Sequence, residues 1–200
     1  MNKGIECVTV GQLDTNCWLY PLEAESGEKQ PCVVIDPGNN IERIIASLKK
    51  LNWIPRYICL THGHWDHVTA LPDLLEAFVN GEFKGEEKPK ITMHRLDVHH
   101  LENNTHEIHH VEDGDIIGPF KVLHTPGHTQ GSVCYYDEKN GVLISGDTLF
   151  EGDHGRTDLP GGSPAQMRES LKRLLALNEA TVVYPGHDIT TTIGAERANY

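Results

Sequence analysis

Four potential metal ligands crowd the run Thr61-His62-Gly63-His64-Trp65-Asp66-His67. Imidazole nitrogens and carboxylate oxygens are the donors that suit zinc, iron and manganese. Gathered in an apolar interior, they would carry uncompensated lone pairs and charge, an arrangement that a cation satisfies. The preceding Tyr57-Ile58-Cys59-Leu60 reads as a strand. His62 and His64 therefore turn inward together from a loop at its end, while Asp66 and His67 open the following helix. Three further candidates lie far along the chain: His128 in Thr125-Pro126-Gly127-His128-Thr129, Asp147 in Ser145-Gly146-Asp147-Thr148, and His187 in Tyr184-Pro185-Gly186-His187. In each, a strand leads to a glycine and then to the ligand, and glycine allows the tight turn that aims the next side chain into a shared cleft. A solvated, histidine-rich turn would not need these distant partners. The combined set exceeds what one tetrahedral ion takes. It suits two ions about 3.5–4 Å apart that share a carboxylate.

The elements that must position these side chains alternate between short β-branched runs and helical spacing. Val8–Val10 and Cys17–Tyr20 read as strands, and Val33–Ile35 as a buried strand stopped by Asp36-Pro37-Gly38. Ile41, Ile44, Ile45 and Leu48 mark one face of a helix, with Asn39 or Asn40 expected to cap it and Lys49 and Lys50 at its negative end. Leu71, Leu74, Leu75 and Phe78 mark a second helix. Strands follow at Ile91–Met93, Phe120–Leu123, Ser132–Tyr136, Val142–Ser145 and Thr181–Tyr184. Ser163-Pro164-Ala165-Gln166 supplies a capping serine, a proline at the first helical position and a glutamine three residues on, ahead of the apolar stripe Met167, Leu171, Leu174 and Leu175. Two similar β-rich halves predict helices outside two packed sheets, in one domain over residues 1–200.

Composition narrows the function classes. The chain has 200 residues, a net charge of −12 and 13 histidines. Such acidity argues against non-specific binding to nucleic acid or to an anionic membrane, both of which need a positive field. No stretch approaches the roughly 18 unbroken apolar residues of a membrane-spanning helix. The five cysteines, Cys7, Cys17, Cys32, Cys59 and Cys134, are scattered without a Cys-x-x-Cys pair and read as reduced, mostly buried thiols. The expectation is a cytoplasmic protein.

The His-x-His-x-Asp-His run, followed by separate His, Asp and His positions, resembles the hallmark of the metallo-β-lactamase superfamily. Gly146-Asp147-Thr148-Leu149-Phe150 and Gly155-Arg156-Thr157-Asp158-Leu159-Pro160-Gly161-Gly162 resemble its short glyoxalase II-like hydrolases. The resemblance implies an α/β fold, the αβ/βα four-layer sandwich of two packed mixed sheets with external helices. It implies that His62, His64 and His128 hold one ion, that Asp66, His67 and His187 hold the other, and that Asp147 bridges them. The cofactors it implies are two divalent metal ions, zinc first, with iron or manganese as alternatives. The substrate it implies is a small thioester such as S-D-lactoylglutathione, attacked by a metal-bridging hydroxide. Asp66 and Asp147 would orient that nucleophile and accept its proton, which makes them the catalytic candidates. No protein nucleophile is needed, and Ser132, although near His128, has no evident base. Arg156 is the candidate for the substrate's carbonyl or carboxylate end, with a salt bridge to Asp153 or Asp158 as the structural alternative. The chain stops 13 residues after His187, short of the C-terminal helical region that longer glyoxalase II enzymes direct at glutathione.

Two other readings fit the same residues. A mononuclear iron persulfide dioxygenase would use His62, His128 and Asp147. A non-enzymatic metal-binding domain would use the donors without the chemistry. Of the remaining histidines, His99, His100, His106, His109 and His110 read as a solvated surface, and His94, His124 and His154 as hydrogen-bonded structural or rim residues. Asp36, at a strand end before Pro37-Gly38, resembles a family position, and the resemblance implies that it supports the site from behind. Trp65 is expected to wall the cleft or simply to pack, and Trp18 and Trp53 to pack.

Overall fold

Burial along Thr15–Tyr20 and Cys32–Ile35 is continuous rather than alternating. Val33, Val34 and Ile35 all have 0% exposure, the signature of a strand covered on both faces. In the computed structural model, which describes residues 4–24, 29–101 and 106–200, that strand is β3 (Gln30–Ile35). It pairs antiparallel with β2 (Thr15–Pro21), which pairs antiparallel with β1 (Glu6–Val10). On its other side it runs parallel to β4 (Trp53–Cys59), reached through helix α1 (Ile41–Leu51). The β3–β4 register slips between Cys32 and Val33, opposite Pro55. Proline has no N–H to give to the ladder, which accounts for the irregularity there. The chain then forms α2 (Trp65–Val68), α3 (Leu71–Val79), β5 (Lys90–His94) and β6 (Ile108–Val111). The first six-stranded sheet has the order β1-β2-β3-β4-β5-β6.

The second sheet begins with a meander of β7 (Ile116–Ile117), β8 (Phe120–His124), β9 (Val133–Asp137) and β10 (Val142–Gly146). Helix α4 (Pro164–Leu175) carries the chain across to β11 (Val182–Pro185), parallel to β10, and β12 (Thr191–Thr192) and α5 (Ile193–Glu196) finish it. Its six strands run β12-β11-β10-β9-β8-β7. Met167, Leu171 and Leu174 of α4 bury their stripe against Leu123, Cys134, Tyr136, Leu143 and Val183. At about 25 cal/mol per Å² of apolar surface, burial of this kind is what holds a helix of α4's length in place.

The chain divides into two compact units. One takes the described residues up to Leu60, His64–Thr92 and 106–109; the other takes Thr61–Gly63, 93–101 and His110–Tyr200. Among the described residues no helix is long and apolar enough to cross a membrane.

The capping expectations divide. Ser163 accepts the Gln166 N–H at 3.4 Å, with Pro164 at the head of α4, as its sequence predicts. Asn40 precedes α1 in the left-handed region and makes no side-chain cap; its Oδ1 instead accepts the Gly11 N–H at 2.8 Å. The amide is drawn to the β1–β2 turn rather than to its own helix. Cys17, Cys32, Cys59 and Cys134 are buried and Cys7 is exposed, and burial pushes the Cys134 thiol up to about 11. Trp18 is buried, whereas Trp65 is 56% exposed.

Candidate metal centre

In the first unit the turn after β3 meets α2. Asp36, just past β3, takes φ +50°, a conformation that aspartate tolerates better than most residues. Its Oδ2 lies 2.9 Å from Nδ1 of His67, and both side chains are buried. A carboxylate only accepts, so His67 donates from Nδ1 and its Nε2 carries the lone pair. That Nε2 lies 3.4 Å from Oδ2 of Asp66, which also accepts the Thr15 hydroxyl at 3.0 Å. The turn packs this closely onto α2 because residue 38 is glycine, where a Cβ would overlap the Asp66 carbonyl. His64 stands at the head of α2, its backbone carbonyl accepting the His67 N–H at 3.0 Å.

The second unit holds four of the candidate ligands, His62, His128, Asp147 and His187. His62 lies with Nδ1 3.0 Å from the Thr61 hydroxyl and meets His128 edge-on at 4.8 Å between ring centroids. His128 donates from Nδ1 to the Arg156 backbone carbonyl at 2.8 Å, which leaves the lone pair on Nε2. Oδ2 of Asp147 lies 3.4 Å from that Nε2 and 3.6 Å from Nε2 of His187. His187 itself meets Phe150 edge-on at 6.0 Å.

These arrangements fit a metal. Histidine ligands present one nitrogen to the ion and donate from the other to a carboxylate or carbonyl, as His67 and His128 do here. Nε2 of His67 and of His128 carries a lone pair that faces a carboxylate oxygen, a pairing that repels unless a cation lies between. Donors at about 2.0–2.2 Å from a tetrahedral ion sit roughly 3.3–3.6 Å from one another, and the observed separations are 3.4, 3.4 and 3.6 Å. Within the units, donor atoms of His62 and His128, of Asp66 and His67, and of Asp36 and His67 belong to groups suited to holding an ion.

Arg156 forms a two-pronged pair with Asp158, at 2.8 Å from Nε and 2.7 Å from Nη2. The guanidinium holds the Asp158 carboxyl down at about 2. His94, His124 and His154 make the hydrogen-bonding contacts expected of them. His94 stacks on His124 at 4.2 Å and contacts Glu112 at 3.2 Å, His124 contacts the Gln130 carbonyl at 2.9 Å, and His154 contacts the Gly155 carbonyl at 2.9 Å. His99 and His100 lie in a single 3-10 turn, Val98–His100. His109 and His110 are exposed on β6, a strand that histidine-rich composition had concealed. Thr15 and Thr61, which touch Asp66 and His62, escaped sequence reasoning. Thr61 is marked only by adjacency, and Thr15, 51 residues from Asp66, by nothing local.

Comparison with known proteins identifies the family and the fold. The metallo-beta-lactamase superfamily profile matches residues 10–187. Hydroxyacylglutathione hydrolase GloC of Haemophilus influenzae is 31% identical, the match covering 96% of this chain and 94% of that one. Among solved structures, TTHA1623 in a di-iron-bound form superposes with a TM-score of 0.84 at 36% identity, over 97% of this chain and 98% of the other. The B3 metallo-beta-lactamase BLEG-1 gives 0.79 at 32%, over 97% and 96%. ETHE1 from Myxococcus xanthus gives 0.77 at 26%, over 98% and 82%. These superpositions identify the fold as the αβ/βα sandwich that the motifs implied. With the profile spanning every candidate ligand from His62 to His187, the chain belongs to the metallo-β-lactamase superfamily.

Proposed function

We propose that this protein is a binuclear metal-dependent thioester hydrolase of the hydroxyacylglutathione hydrolase type. The observation that carries the reading is the placement of one oxygen, Oδ2 of Asp147, 3.4 Å from His128 Nε2 and 3.6 Å from His187 Nε2. A carboxylate flanked on both sides by imidazole is what a bridge between two ions requires. His62, His64 and His128 would hold one ion, Asp66, His67 and His187 the other, and Asp147 both. Zinc fits the nitrogen-rich donor set, and iron or manganese are the alternatives; the related TTHA1623 carries two irons.

When bound, the two ions supply an acidified water and a Lewis-acid contact for the substrate carbonyl. The chain's own residues do the rest. Asp36 and the Arg156 carbonyl hold His67 and His128 in fixed tautomers. Thr15 orients the Asp66 carboxylate through Oδ2, and Asp66 and Asp147 would take up the proton that the attacking water loses. Arg156 offers a planar fork to the carboxylate end of a substrate. Its exposed pairing with Asp158 is worth little, so exchange for a substrate carboxylate is cheap. The substrate is a small acyl-thiol, in keeping with the GloC relative. The net charge of −12 speaks against a nucleic-acid substrate, and the reduced, mostly buried thiols favour a cytoplasmic site of action.

A persulfide dioxygenase is the second reading, because His62, His128 and Asp147 lie together in one unit as its three-residue set would. The Asp36–His67–Asp66 group weighs against it, since a mononuclear site has no use for a second buttressed imidazole. Elemental analysis paired with turnover of S-D-lactoylglutathione separates the two. Two metals per chain with thioester hydrolysis are expected. One iron per chain with oxygen uptake on glutathione persulfide overturns the proposal.

A further inference from the structure

Asp97 follows β5 and has 0% exposure. Its carboxylate gathers donors from two other segments. Oδ2 accepts the Thr129 hydroxyl at 2.6 Å and the Gly63 N–H at 3.1 Å, and Oδ1 accepts the Gly131 N–H at 2.7 Å. A buried carboxylate persists only when such bonds offset its lost hydration. The owners of the donors indicate its role. Gly63 lies between His62 and His64, and Thr129 and Gly131 immediately follow His128.

The clamp is rigid from its own side as well. Asp97 donates its N–H to the His94 carbonyl at 3.1 Å and accepts the His100 N–H at 3.0 Å. Both glycines approach it too closely for a side chain. A Cβ on Gly131 would sit 2.5 Å from Asp97 Oδ1, and one on Gly63 would sit 2.9 Å from the Asp97 carbonyl oxygen. The Thr129 hydroxyl gives its proton to Asp97 and so accepts from Ser132 Oγ at 2.7 Å, while Ser132 Oγ accepts the Thr129 N–H at 3.1 Å. Ser132 is thereby occupied in bracing the turn after His128.

We infer that Asp97 is a positioning residue that sets His62 against His128 by tying the backbone of both turns to one buried carboxylate. The inference rests on the reading of His62 and His128 as ligands of one ion. Asn at this position keeps the shape but turns one oxygen into an N–H₂ group. Whichever way the amide lies, a donor then faces either Gly131 N–H or the Gly63 and Thr129 donors. Asp36 and Thr15 brace His67 and Asp66.

The test titrates the full-length protein, stripped of metal, with Co²⁺ against a competing chelator and follows the cobalt absorption bands. The variants are Asp97→Asn and, as a stability control, Asp137→Asn. Asp137 is equally buried and spends its carboxylate on the turn at Asn140, at 3.0 Å from the Asn140 backbone nitrogen. The wild type is expected to bind two ions. Asp97→Asn should bind one of them unchanged and the other roughly 10- to 100-fold more weakly, with altered cobalt bands; Asp137→Asn should lower Tm and leave both affinities alone. Wild-type affinities and bands in Asp97→Asn overturn the inference, as does equal weakening of both ions in step with lost stability. Should Asp97→Asn fail to fold, Thr129→Val removes one donor while keeping the branched shape. It must weaken the same ion by a smaller factor, and no change overturns the inference. A wild type that takes up no metal overturns the binuclear reading itself, a result visible without any variant.

Discussion

Oδ2 of Asp36 and Nδ1 of His67 lie 2.9 Å apart with side-chain exposures of 2% and 0%. This contact fixes the imidazole's tautomer and turns Nε2 toward Asp66. It also explains why an aspartate occupies the left-handed turn after β3, where φ is +50°. Asp36→Asn retains that backbone tolerance and an acceptor oxygen but removes the charge that raises the basicity of the imidazole. Affinity for one metal ion should fall roughly 10- to 100-fold with the fold intact. Chelator competition alongside circular dichroism measures both. Unchanged metal affinity would show that His67 does not need the carboxylate.

Asp147→Ala removes the oxygen that His128 and His187 both face. Thioester turnover should disappear and bound metal should drop below two per chain, because the bridge is gone and two imidazoles lose their shared counter-charge. Full turnover in this variant would refute the bridging role.

Much of the site was legible in the sequence because each ligand announces itself locally. His62, His64, Asp66 and His67 sit within one short run, and His128, Asp147 and His187 each follow a strand and a glycine. The strands β3 and β10 and the second half of β4 were legible through the apolar runs Val33–Ile35, Val142–Ile144 and Tyr57–Cys59, whereas Pro55 and Arg56 hid the first half of β4. What the sequence hid was long-range. Thr15 reaches Asp66 across 51 positions and Asp97 reaches Gly131 across 34, and no local pattern marks a residue whose partners are brought to it by folding. The histidine-rich composition of β6 and the two-residue lengths of β7 and β12 left no alternation to read. Asn40 had the right residue type for a helix cap, yet a tertiary bond to Gly11 took its side chain.

His106→Ala should leave turnover and metal content nearly unchanged. His106 lines a cavity with Lys88, Lys90, Glu107 and His109, beside Leu75 of α3, and none of these belongs to the ligand set. A large loss of activity would show that this cavity takes part in the reaction.

The stacked pair His94 and His124 makes stability depend on pH. Their rings lie 4.2 Å apart at 10° between planes, so a charge on His124 disfavours one on His94. Burial, and then the neighbouring His124, push the His94 imidazole below its ordinary value, against the opposing pull of Glu112 and Asp97. The sign follows from proton counts. Below an unfolded value of about 6.5 the unfolded chain binds a proton that the folded His94 refuses. The contribution of His94 is therefore fully present above about pH 6.5 and is lost as pH falls through the lowered folded value. His94→Phe keeps an aromatic ring against His124 and removes the titration. Urea midpoints at pH 7.5, 6.5 and 5.5 (all about these values, spanning the histidine range) should fall less steeply for the variant than for the wild type. Parallel slopes in the two proteins would mean that the acid sensitivity of the fold lies with other groups.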